Sequence, residues 1–204
     1  MTLTSVVLPF YLAIDLFDMW LATRPIPGTD LSLLAYVPLI LFYPLYQAAI
    51  IFFVASAVSD RRLGVNACLK LASRVWVPLF ILSVISAPII WIGLALLIIP
   101  GLFVIARLLF AQFYCIFDGM NPVDAIKASW NETMELQWTI LGGLVLVVLA
   151  CTMPILLLQQ IVVSLGALNI VTAILISVLG AVLSTPPTVF AFRMYLAHQH
   201  KTSE

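Results

Sequence analysis

The sequence predicts an all-α fold: a polytopic membrane bundle of about six transmembrane helices, with two interfacial amphipathic helices on its cytoplasmic side. Three observations predict it. Apolar residues make up 64% of the 204-residue chain and charged residues only 9%, against roughly 45–50% and about a quarter in a soluble domain. The apolar residues gather into six stretches of about the length, some 20 residues, that crosses a hydrocarbon layer about 30 Å thick. Finally, the segments between them are short, and their lysines and arginines gather in every other one, on a single side.

The first stretch, 4–22, carries Asp15 and Asp18 and lacks a basic leading region, so it reads as a span and not as a signal peptide. The second, 33–59, contains Pro38 and Pro44. After it, Val65, Cys68, Leu69 and Ala72 oppose Asn66, Lys70 and Arg74 at helical spacing, which predicts a faintly amphipathic interfacial helix. The third and fourth spans, 77–99 and 101–117, are separated only around Pro100 and Gly101, so the spacing predicts a tight transmembrane hairpin turning there.

The second polar connection predicts a clearer interfacial helix. Asn121 suits the N-cap, Pro122 the first helical position, and Asp124 the first turn. Val123, Ile126, Trp130 and Met134 then line one side, while Asp124, Lys127, Asn131 and Glu135 line the other. Such a helix can lie along the headgroups or against the bundle. The spans 138–158 and 167–193 complete the set. Pro186-Pro187 interrupts the last, and Ala173, Ser177 and Ala181 give it a small-residue packing face. The segment from His198 to Glu204 reads as a solvated tail, its two histidines included.

Orientation follows from charge. Arg61, Arg62, Lys70, Arg74, Lys127, Arg193 and Lys201 fall on one side and Arg24 alone on the other, so both termini are expected in the cytoplasm. Residues 1–204 then form a single integral membrane domain. Asp60–Ala67 and Asp118–Ala125 align weakly, each before an amphipathic run. An internal duplication and the ordinary needs of two cytoplasmic returns account for this equally well.

Arg107 is the most informative residue. It lies six residues, or roughly 9 Å, past Gly101 within a span, where an unpaired charge costs about 2.5–3.5 kcal/mol on insertion scales. Asp15 and Asp18 sit at comparable depth with opposite charge. Two readings follow: a buried pair that fixes helix packing, or an Arg107 guanidinium that holds an anionic group such as a lipid phosphate. The prolines within spans likewise read either as ordinary kinks or as breaks exposing carbonyls to an ion, and the lack of an adjacent polar cluster favours kinks.

From Pro100 to Trp130 the chain resembles a known family. The residues that carry the likeness are Pro100-Gly101-Leu102, Arg107, Phe110-Ala111, Asp118-Gly119, Pro122, Ala125-Ile126 and Ser129-Trp130. This looks like the YciC-type bacterial inner-membrane proteins, themselves similar to the membrane domain of some glycerophosphoryl diester phosphodiesterases. The resemblance implies a multi-pass protein of the bacterial inner membrane and supplies no reaction.

Function classes can be excluded or ranked. Nine basic and nine acidic residues cancel, which argues against a nucleic-acid partner. Cys68, Cys115 and Cys151 have neither disulfide-framework nor metal-ligand spacing. No catalytic or phosphate-loop motif occurs, so no enzyme activity, cofactor or metal is expected. The leading expectation is a non-catalytic protein of the cell envelope acting through membrane lipids, a membrane-protein partner or a second copy of itself. The alternative is a small-solute, ion or lipid transporter or channel, to which Gln47 and Gln112 would add intramembrane polarity.

Overall fold

A computed structural model describes residues 32–59, 63–166 and 169–202. The span expected over 4–22, with Asp15, Asp18 and Arg24, lies outside the described residues, as do Arg61 and Arg62. Among the described residues every regular element is a helix: α1 (Ser32–Val58), α2 (Val65–Leu96), α3 (Ile98–Leu108), α4 (Ala111–Phe117), α5 (Pro122–Glu132), α6 (Gln137–Ser164), α7 (Ile170–Leu183) and α8 (Pro186–Thr202).

Among the described residues, four stretches are long and apolar enough to cross a membrane: Ile40–Val58, Val65–Leu96, Ile99–Phe117 and Gln137–Ser164. Their outward surface is apolar too. Trp91, Leu96, Ile99, Trp138 and Leu146 are each about 70% exposed, a distribution that lipid tails tolerate and water does not. A smaller buried core sits where α1, α2, α4 and α8 meet, around Ile50, Ile51, Leu79, Phe110, Phe113 and Tyr195.

Several boundaries differ from the sequence expectation, each for a local reason. The first amphipathic segment is not a helix of its own. It continues into the next span as the 32-residue α2, because nothing between Ala72 and Val77 stops a helix. Pro78 and Pro88 lie within it, and the helix runs through both.

The hairpin turns at Leu97, which is extended at φ −166° and ψ 150°. Pro100 and Gly101 instead occupy the first turn of α3. Proline fits there because first-turn N–H groups have no partner within the helix. Gly101 is required by proximity: a Cβ on it would stand 2.4 Å from Leu94 Cδ2 and 2.8 Å from Leu94 Cα. Gly93 answers it across the hairpin, 3.1 Å from Gly101 Cα by the same construction. The two helices therefore touch backbone to backbone.

The last expected span is divided. α7 starts on a capping box, in which Asn169 Oδ1 accepts from the Thr172 N–H at 2.8 Å and Thr172 Oγ1 accepts from the Asn169 N–H at 3.0 Å. It ends at Leu183, before Pro186-Pro187, and α8 begins at Pro186. In the turn before Pro44, the Leu41 carbonyl accepts the Trp76 indole N–H at 2.9 Å, so a neighbouring helix supplies a partner to a carbonyl near the proline.

Candidate functional site

The site forms where the span Ile99–Phe117 breaks between α3 and α4. Arg107 lies in the last turn of α3, which ends at Leu108, and Leu109 and Phe110 connect it to α4. Such an interruption of the i→i−4 ladder leaves backbone groups in need of partners. The helix α5 supplies them. The Ser129 hydroxyl donates to the Arg107 carbonyl at 2.6 Å and accepts from the Phe110 N–H at 3.2 Å. The Thr133 hydroxyl donates to the Ser129 carbonyl at 2.6 Å and approaches the Arg107 carbonyl at 3.3 Å. Ser129 and Thr133 are both fully buried.

Arg107 itself is only 5% exposed. Its Nη1 donates to the Trp130 carbonyl at 2.6 Å. Its guanidinium carbon lies 5.0 Å from the Phe103 ring centre and 5.4 Å from that of Trp130, so two aromatic faces attract the cation. Its Nε is buried without a hydrogen-bond partner. Among the described residues no carboxylate forms an ion pair with it, and the expected pairing with Asp15 or Asp18 lies outside the described residues. The arrangement is a clamped cation with an N–H donor still unmet.

α5 meets the bundle differently from the sequence reading. The face that enters it is small and polar, Ala125 and Ser129 with Thr133 one turn on. Of the expected apolar stripe, Ile126 and Trp130 are half-buried, while Val123 and Met134 stay about half exposed. The stripe therefore flanks the packing face. Pro122 takes the first helical position and Asp124 the first turn, and both flank the site without entering it. Asn121 has extended N-cap backbone but its side chain makes no cap bond. Gly119, at φ +63°, lets the chain reverse between α4 and α5, and Met120 N–H closes the reversal on the Tyr114 carbonyl at 3.2 Å.

A second cluster ties α8 to this junction. Tyr195, 2% exposed, packs its ring against Phe110, Phe113, Tyr114 and Phe117 at centroid distances of 5.1–6.3 Å. Its hydroxyl donates to Asp118 Oδ2 at 3.0 Å and accepts from Gln199 Nε2 at 2.5 Å. Glu132 accepts from the Tyr114 hydroxyl and lies 3.0 Å from His198 Nε2. His198 is thus no solvated tail: it belongs to α8, with its side chain 12% exposed and beside a carboxylate. Burial, and then the hydrogen bond to Asp118, push the Tyr195 hydroxyl pKa upward.

The structure therefore gathers Arg107, Ser129 and Trp130 in one place and puts Pro100 and Gly101 at the other end of α3. Sequence reasoning missed Phe103, Thr133 and the whole α8 cluster. Two spacings carried a signal for that cluster: Tyr114 with Asp118 at i, i+4, and Tyr195 with His198 and Gln199 at i, i+3 and i+4. Among the described residues no three His, Cys, Asp or Glu side chains gather as metal ligands, and the three cysteines are free and buried.

One stability prediction arises directly. Ser129→Ala strands the Phe110 N–H in a buried site and leaves the Arg107 carbonyl only the longer Thr133 contact. The expected loss is about 2–3 kcal/mol, read as a lower midpoint of reversible unfolding in mixed detergent micelles. A change below about 0.5 kcal/mol would mean that the hydroxyl is not the partner of the broken ladder.

The chain matches no protein-family model, no curated protein and no solved structure. The residues themselves carry the functional argument.

Proposed function

We propose that this is a non-catalytic, multi-pass protein of the bacterial inner membrane, a member of the YciC-type class, that acts on the cell envelope through lipids or a membrane-protein partner. In this reading six spans place both termini in the cytoplasm, and α5 lies at the cytoplasmic headgroup level. The observation that carries it is the Arg107 junction. An arginine in a membrane-crossing segment is held by two aromatic faces and one carbonyl, with its Nε unpartnered. A phosphate or carboxylate is the complement such a guanidinium lacks. Support for the class comes from the motif itself, since Arg107, Ser129 and Trp130 converge on one contact. The half-exposed Val123 and Met134 give α5 an apolar edge for lipid or a partner helix.

The test is native mass spectrometry of the full chain released from nanodiscs of bacterial lipid extract. The wild type should retain an anionic lipid, and Arg107→Gln should lose most of it. If both emerge bare with the same oligomeric state, the lipid reading is refuted and Arg107 is a packing residue.

A second reading, a small-solute, ion or lipid transporter or channel, is favoured by one observation: Gln47 and Gln112 line a common cavity inside the bundle. It requires flux of solute or ion through proteoliposomes, and their tightness to both would dismiss it.

A further inference from the structure

A cavity of about 90 Å³ lies between α1, α2 and α4, away from the Arg107 junction. It is lined by Tyr43, Gln47, Ser83 and Gln112, with Leu79, Leu82 and others completing the wall. Pro44 of α1 is buried beside it. Counting along the helices, Gln112 lies about 8 Å before the end of α4 and Gln47 about 16 Å before the end of α1. Both amides are therefore inside the membrane-crossing segments.

The hydrogen-bond inventory makes this cavity unusual. Each glutamine amide offers two donors and an acceptor. Ser83 spends its hydroxyl proton on the Leu79 carbonyl at 2.8 Å. Neither Gln47 nor Gln112 makes a side-chain hydrogen bond within the described residues, although they face the same space. Hydrocarbon cannot satisfy such groups, and polar side chains at this depth ordinarily face a partner or a wet cavity. The volume is several times what one water needs.

We propose that this cavity is a binding site for a small, uncharged, hydrogen-bonding solute. The site selects against charge because no carboxylate, lysine, arginine or histidine lines it, so an ion would sit uncompensated in a low-dielectric wall. It selects against a whole lipid headgroup by size and by the charge of the phosphate. The complementary ligand is a compact amide or diol that presents donors and acceptors on opposite edges, one to each glutamine. The inference concerns occupancy alone, and it stands whether or not the solute crosses the membrane.

The experiment uses the full chain in nanodiscs with 15N-labelled glutamine side chains. The probes are 13C-urea and 13C-ethylene glycol, added separately, and the readout is carbon-to-nitrogen transfer in solid-state NMR. Transfer from at least one probe to the Nε2 of Gln47 and of Gln112, and not to the exposed Gln159 and Gln160, is the expected result. Gln112→Leu should abolish transfer to Gln47 while helical circular dichroism stays unchanged. Should that variant misfold, the wild-type selectivity among glutamines still decides. No transfer from either probe to Gln47 or Gln112, or equal transfer to all glutamines, would overturn the proposal.

Discussion

Replacing Tyr195 by alanine is expected to free α8 from the rest of the bundle and to cost about 3–5 kcal/mol, the range for emptying a buried aromatic site. The ring touches four aromatic neighbours on α4 and at its start, and it is 2% exposed. Among the described residues no other side chain links α8 to so many of them. Its hydroxyl adds the bond to Asp118 and takes one from Gln199. Both partners can turn to water when it is gone, so the loss is dominated by packing. Tyr195→Phe separates the two contributions and should cost about 1 kcal/mol. The measurement is limited proteolysis of α8 alongside detergent unfolding. Equal protease resistance in wild type and Tyr195→Ala would show that α8 is held by something else.

The same residue gives a pH dependence with a definite sign. A tyrosine whose folded pKa is raised above its unfolded value of about 10 stabilises the fold fully below that pH. The contribution disappears as pH rises through the folded pKa. Wild type should therefore lose stability above about pH 10, as ionised Tyr195 would face Asp118 inside an aromatic shell. Tyr195→Phe should remove that part of the alkaline loss. An identical alkaline profile for both proteins would exclude Tyr195 as its source.

How much of this was legible in the sequence depends on the range of the interaction. Apolar stretches and their capping signals are local, and α5 and α6 begin close to where Asn121-Pro122 and Trp138 put them. Arg107, Ser129 and Trp130 stand out in the sequence one by one, but their meeting was not legible. The sequence holds the serine, whereas the need for it arises from a helix break some twenty residues earlier. The α8 cluster was not legible because its partners come from opposite ends of the chain: Tyr195 reaches Asp118 across 77 residues and His198 reaches Glu132 across 66. A short polar segment after the last apolar stretch looks solvated until a distant carboxylate is placed beside it. The hairpin was misplaced for a different reason. Proline and glycine were read as helix breakers, when in this position proline is tolerated and glycine is selected by contact.

That contact supports the second large effect. Gly101→Val is expected to cost at least about 3 kcal/mol, because the added atoms meet the Leu94 backbone as well as its side chain. Overpacking into soft side chains typically costs about 1–3 kcal/mol, and backbone has less freedom to yield. Gly101→Ala should fall near the lower part of that range. The comparison that isolates sterics is Gly142→Ala in α6, where a Cβ has nothing within 4 Å. There alanine should stabilise by up to about 1 kcal/mol through helix propensity alone. The two substitutions are chemically identical and should have opposite signs. Unfolding midpoints that move together would refute the close approach of α2 and α3. Opposite movement would locate the turn at Leu97 and set the register of α3. That register is what places Arg107, six residues on from Gly101, against Trp130 and Phe103.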